Sequence, residues 1–233
     1  MFFVTLCFSL NAQALGGENM TKVEAFNGQS IIEEIYNAVS HGIGALLSVA
    51  GTVVMIVYAT MYSDVMGIVS AALYGASLII LYSVSSLYHS MVNRKAKKVF
   101  QICDHCSIFI LIWGTYIPVA LSLVGGAMGW VIFGFQGVCA IVGIVLNAIN
   151  LKKFHKVSLV LYLLMGWAVV ITADTVFSLI DATGFWLLLG GGLAYTGGVY
   201  FYVKNNKYMH LVWHLFVITG SVLHYFFVLR CCL

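Results

Sequence analysis

Two hundred and thirty-three residues, 62% hydrophobic and only 8% charged with a mean hydropathy of +1.01, cannot clothe a water-facing surface. An integral membrane protein is expected; a soluble domain, a nucleic-acid binder and a secreted disulfide scaffold are excluded. The net charge of +3 matters through where its basic residues fall.

The first nineteen residues are ambiguous. Met1 to Leu10 is apolar and Ala12-Gln13-Ala14 resembles a leader cleavage site, but no basic residue precedes a run too short for a signal. Met20-Thr21-Lys22 looks like a more ordinary start. Residues 1–29 are therefore expected to be an N-terminal extension, disordered or upstream of the natural start, and residues 30–233 the membrane domain. Ser30-Ile31-Ile32-Glu33 has the S-x-x-E form of a capping box and predicts a helix starting at Ser30, with Glu33 as its cap. Glu34, Asn37 and His41 follow at i, i+3 and i+7 on one face.

Seven apolar runs follow, at roughly 41–61, 67–90, 100–123, 129–150, 157–180, 185–203 and 209–230. Each is near the ~20 residues that a helix needs to cross ~30 Å of hydrocarbon. None alternates like a barrel strand, so the fold class expected is all-α, a seven-transmembrane helix bundle. Pro118 is the single proline, so nearly all the helices should run unbroken. Glycines 190–192, 197 and 198 fall inside an apolar run and suit close helix packing. Cys103 and Cys106 form CxxC with no second pair following and read as small packing residues.

Charge sets the orientation. Lys22, Arg94, Lys95, Lys97, Lys98, Lys152, Lys153, Lys156, Lys204 and Lys207, ten of the eleven basic residues, fall on one side of the predicted topology. The positive-inside rule then puts the N-terminus in the cytoplasm and the C-terminus, with Arg230, outside.

On that topology polar residues from four helices meet at one level. His89 ends the second helix with Ser85 one turn deeper; Asp104 opens the third; His210 and His214, an i, i+4 pair, open the seventh; Glu34, Asn37 and His41 open the first. Ionisable groups inside a bilayer are costly and by default functional. Three neutral imidazoles suit zinc with a fourth position open to water; Asp104 could orient that water or take its proton, and Ser85 could polarise a carbonyl. The alternative is that these groups only cap helix ends at the interface. His105 is expected to face away from Asp104, and His155 to be solvated or near lipid phosphates. His224 is about 21 Å from His210 at helical rise, too far to share its metal. Asp174 has no evident partner.

These residues, Glu34-x-x-Asn37-x-x-x-His41, Ser85-x-x-x-His89, Asp104-His105 and His210-x-x-x-His214, resemble the hemolysin III family within the progestin and adipoQ receptor superfamily, from about residue 30 to the C-terminus. The resemblance implies zinc near the cytoplasmic face with His89, His210 and His214 as ligands. It implies Ser85 and Asp104 on the water side as catalytic residues, and Glu34, Asn37 and His41 around the ligands. Relatives in that superfamily include hormone-responsive receptors and, more distantly, alkaline ceramidases. The function expected is a zinc-dependent hydrolase of a lipid amide or ester in the bacterial inner membrane, with membrane lipid or a fatty acid as partner. The alternatives are a non-enzymatic receptor or lipid-homeostasis regulator with structural zinc, and a cytolysin.

Overall fold

The computed structural model describes residues 28–233, and every regular element among them is helical. The readings of residues 1–19, of a start at Met20 and of Lys22 lie outside the described residues. The helices are α1, Ile31–Tyr62; α2, Val65–Ser90; α3, Arg94–Ile117, prolonged by a π-helical stretch Pro118–Val124; α4, Gly126–Gly166; α5, Ala173–Leu179; α6, Ala182–Tyr202; and α7, Met209–Cys231. A 3₁₀ stretch, Trp167–Thr172, joins α4 to α5.

Their starts follow from capping side chains. Ser30 caps α1 through the expected box: the Glu33 N–H donates to Ser30 Oγ at 3.3 Å and Ser30 N–H to Glu33 Oε2 at 2.9 Å. Asp64, Asn93 and Asp181 accept the otherwise orphaned first N–H groups of α2, α3 and α6. The Asp181 carboxylate also binds Arg230 near the end of α7, with Nε 3.2 Å from both oxygens. That hydrogen bond holds Asp181 down to about 2, so the tie persists above the ordinary carboxylate range and is lost as pH falls through about 2.

Among the described residues five stretches are long and apolar enough to cross a membrane: Ile31–Tyr62, Val65–Ser90, Arg94–Val124, Gly126–Leu179 and Met209–Cys231. The fourth has 54 residues. At 1.5 Å per residue it would reach about 80 Å, far beyond one bilayer. It breaks at Asn150, whose backbone (φ −162°, ψ 91°) is not helical and whose side chain accepts the Lys153 N–H at 3.0 Å, an N-cap for a second helix. The break falls on the last residue of the predicted run 129–150, ahead of the run 157–180. Pro118 is less innocuous than the sequence suggests. It opens the π-helical stretch, which closes where Gly125 (φ +61°) donates to Ala120 O at 2.9 Å.

Packing is inverted relative to a soluble protein. Leu46, Val53, Met61 and Ile171 are exposed on the outer faces, while Asn37, Gln136, Asn147 and Ser158 are buried. Several of these groups pair inside the bundle: Gln136 Nε2 donates to Met165 O at 3.0 Å, and Ser158 Oγ to Asn147 Oδ1 at 2.6 Å. In lipid such satisfaction must be internal. The largest apolar cluster gathers Met55, Tyr74, Leu78, Tyr82, Val217 and Phe227 between α1, α2 and α7.

Glycines set the closest approaches. A Cβ on Gly191 would lie 2.1 Å from the His224 ring, and one on Gly198 2.8 Å from Trp213. On Gly190 a Cβ would meet only Leu223, at 3.4 Å, an ordinary contact. Of the glycines in this run, Gly191 and Gly198 thus bring α6 onto α7. Gly191→Val is expected to destabilise the protein by about 1–3 kcal/mol through overpacking, whereas Gly190→Ala should cost little. Thermal unfolding in detergent checks the pair.

Candidate metal centre

The site is built at the ends of α1, α2, α3 and α7 that share one level. His89, His210 and His214 come together there, each offering one ring nitrogen, and those three atoms lie within 4.8 Å of one another. His210 and His214 meet because they are one turn apart on α7, with ring centroids 4.7 Å apart. His89 arrives from the last turn of α2, 5.1 Å from His210 and 5.0 Å from His214.

Neighbours fix which nitrogen each ring presents. His89 Nδ1 lies 2.7 Å from Glu34 Oε2, and a carboxylate can only accept, so Nδ1 carries the hydrogen and Nε2 the lone pair. That Nε2 is buried and has no hydrogen-bond partner. Ser40 Oγ donates its single hydrogen to Asn37 O at 2.9 Å and therefore accepts from His214 Nδ1 at 3.1 Å. The lone pair of His214 is left on Nε2. A carboxylate or hydroxyl holding the far nitrogen of a metal-ligating imidazole is the usual arrangement around zinc.

The residues fit such an ion. Zinc–nitrogen bonds of about 2.0–2.1 Å put tetrahedral ligand atoms roughly 3.3 Å apart, and the three nitrogens already lie within 4.8 Å of one another. His41 is nearby but points elsewhere. Its ring stacks on that of His214 with centroids 3.5 Å apart and planes 11° apart, so the in-plane lone pairs of the two run side by side instead of converging.

Glu34 carries a second contact. Its Oε1 lies 2.8 Å from Lys97 Nζ, an ion pair by distance, although the approach is not that of a hydrogen bond. Lys97 is only 4% exposed, with its ammonium 5.2 Å from the Tyr88 ring centroid. Reading Lys97 as one more cytoplasmic charge misses this. The available signal is its position on α3, seven residues before Asp104 on the same face. Asn37, expected beside the histidines, bonds through its amide to Gln29 Oε1 at 3.2 Å and touches the site through its carbonyl. Glu33 does more than cap α1: its Oε1 accepts the Tyr208 N–H at 2.8 Å. Tyr208 has φ +63°, a left-handed turn that starts α7 two residues before His210.

Beside the cluster lies a cavity of about 130 Å³, lined by His41, Ser85, Asp104, His210 and His214 and for the rest mainly by apolar and aromatic side chains. The Asp104 carboxylate has the Ser85 hydroxyl beside it and His105 Nδ1 3.8 Å from its Oδ2. His105 departs from expectation: it lines this cavity, with Nε2 3.2 Å from Tyr202 Oη. His155 reaches the same hydroxyl at 2.9 Å and is half-buried between helices, not free at the surface. His105 folds inward because Gln101 O, one turn earlier, holds its Nδ1 at 2.9 Å. Asp174 is exposed. The Cys106 thiol points at Ile144 O at 3.8 Å, in line with a packing role, whereas Cys103, expected to pack as well, is exposed.

Residues 29–225 match the family model described as haemolysin-III related. The chain is 36% identical over 213 residues to "Hemolysin-3" of Bacillus cereus, covering 91% of this chain and 95% of that one. It is 38% identical over 204 residues to "Hemolysin-3 homolog" of Bacillus subtilis (strain 168), covering 87% and 96%. To "Monocyte to macrophage differentiation factor" of Homo sapiens it is 30% identical over 169 residues, 68% of each chain.

Lys97→Met strands the buried Glu34 carboxylate and is expected to cost about 3–5 kcal/mol of stability. The double variant Glu34→Gln, Lys97→Met removes both charges and should recover part of that loss. Unfolding midpoints of the wild type and both variants check this.

Proposed function

The chain belongs to the haemolysin-III-related family, and from that membership and the histidine cluster we propose a zinc-dependent hydrolase of a lipid amide or ester bond in a bacterial inner membrane. The observation carrying this reading is the juxtaposition of three imidazoles, two with their far nitrogens held, with a cavity containing Asp104 and Ser85.

On this reading the chain crosses the membrane seven times, with α4 split at Asn150 and α6 counted, and its N-terminus lies in the cytoplasm. The basic residues 94, 95, 97, 98, 152, 153, 156, 204 and 207 then share the cytoplasmic side. The histidine cluster sits just beneath that face.

His89, His210 and His214 hold the ion. Zinc with three protein ligands supplies a Lewis acid and activates water near neutral pH. Everything else falls to the chain. Glu34 and Ser40 keep His89 and His214 in the tautomers that bind. Asp104 holds a proton at its carboxylate, accepting it from water and returning it to the leaving nitrogen or oxygen. The Ser85 hydroxyl gives its single hydrogen to the Asp104 carboxylate and offers its oxygen to hold the water. The apolar wall excludes bulk water and takes the acyl chain. Its volume is comparable to the ~150 Å³ at which an apolar protein cavity admits a benzene ring, enough for several methylenes.

Protein purified without added metal should contain one zinc per chain, and the His210→Ala, His214→Ala double variant should lose it; elemental analysis decides. Asp104→Asn should keep the zinc and lose hydrolysis of a lipid amide or ester by about 10²-fold or more. Loss of metal from Asp104→Asn would instead make Asp104 a ligand and the site closed, which favours a receptor or regulator with structural zinc.

A further inference from the structure

Next to the main cavity lies a smaller one of about 70 Å³, walled by Val119, Val169, Phe177 and Leu188. Two glycines, Gly166 and Gly192, line both. On α4, Leu159, Tyr162, Leu163 and Gly166 line the main cavity at i, i+3, i+4 and i+7, one helical stripe. On α6, Leu188, Gly192, Tyr195 and Val199, at i, i+4, i+7 and i+11, make a second. On each stripe the residue that belongs to both cavities is the one without a side chain.

Neither backbone strain nor close packing calls for a glycine at these positions. Gly166 has φ −61°, and Gly192 is not among the glycines of positive φ. A Cβ on Gly166 would meet nothing within 4 Å, and one on Gly192 only the Trp167 ring at 3.8 Å, an ordinary contact. Gly191, next along α6, is the opposite case, since its Cβ would strike His224 at 2.1 Å. A glycine costs a helix stability relative to alanine, and here its return is space. The aromatic side chains around that space are tied in place. Thr196 Oγ1 donates to Gly192 O at 2.8 Å and accepts the Trp167 indole N–H at 3.0 Å. Tyr116 Oη donates to Gly166 O at 2.9 Å and accepts the Val169 N–H at 2.8 Å.

We propose that Gly166 and Gly192 keep open a passage through which an apolar chain lying in the main cavity extends into the smaller one, so that these two positions set the chain length the protein accepts. This rests on the reading of the main cavity as an acyl-chain site. The volumes give the scale. An apolar cavity of ~150 Å³ admits the six carbons of benzene, about 25 Å³ per carbon, so the main cavity takes about five carbons and the smaller one about three more.

The test is calorimetric titration of the zinc-loaded protein in detergent with straight-chain carboxylic acids of four to ten carbons. In the wild type, affinity should rise by up to about fourfold per methylene and flatten near eight carbons. In Gly166→Leu, whose side chain fills the passage, it should flatten near five. The acids of four and five carbons should bind both proteins alike, which also reports that the variant is folded. Gly166→Ala, a smaller plug, should flatten in between. Flattening near five carbons in the wild type, or at one length in the wild type and Gly166→Leu, overturns the passage and leaves the acyl-chain reading of the main cavity standing. Failure of every acid to bind overturns both. The wild-type curve decides even where the leucine variant does not fold.

Discussion

A single buried carboxylate holds the site together. Glu34 stands between His89 Nδ1 and Lys97 Nζ, at 2.7 and 2.8 Å, and so ties α1 to α2 and α3 in an interior where an unpaired charge would be costly. The neighbouring residue of the same turn ties on α7: Glu33 accepts from Tyr208 N, and one to two turns further Ser40 accepts from His214. The first three turns of α1, begun at the Ser30 cap, thus orient imidazoles that belong to two other helices. This is why a helix that contributes none of the three converging nitrogens is indispensable to their arrangement.

The rest of the bundle keeps that level rigid and leaves a space beside it. Glycines let α6 close on α7 and α4 on α3, where Gly143 faces the Phe109 ring. Close backbone approach substitutes for a hydrophobic drive between helices that lipid does not supply. Not every polar atom inside is paired: among the described residues His89 Nε2, both His41 nitrogens, His224 Nδ1, Tyr74 Oη, Asn37 Oδ1, Gln136 Oε1 and Glu34 Oε1 have no hydrogen-bond partner, and of these His89 and His41 stand at the histidine cluster.

Much of this was legible in the sequence because membrane helices are repetitive and caps are local. The S-x-x-E box is borne out to the atom, and the i, i+4 pair at His210 and His214 needs only helical geometry to converge. His89 joins it because the sequence places all three beside loops of one side. What escaped depends on tertiary direction. Lys97 counts as a surface charge until α3 is rotated to turn it toward Glu34. His105 was expected to face away, but its ring swings inward onto Tyr202, a partner 97 residues later with no local signature. The backbone break at Asn150 falls on the last residue of the expected run 129–150, yet nothing in that run says that a single side chain makes the turn. The Pro118 π-helical stretch is a similar case, since its consequence rests on Gly125 seven residues on.

The most direct measurement is zinc-edge X-ray absorption on protein purified without added metal. Three imidazole nitrogens at about 2.0–2.1 Å with one further light atom, and one imidazole fewer in His89→Ala, are expected from a centre made of His89, His210 and His214. A spectrum with four imidazoles or with sulfur at about 2.3 Å, or one unchanged by His89→Ala, would contradict it.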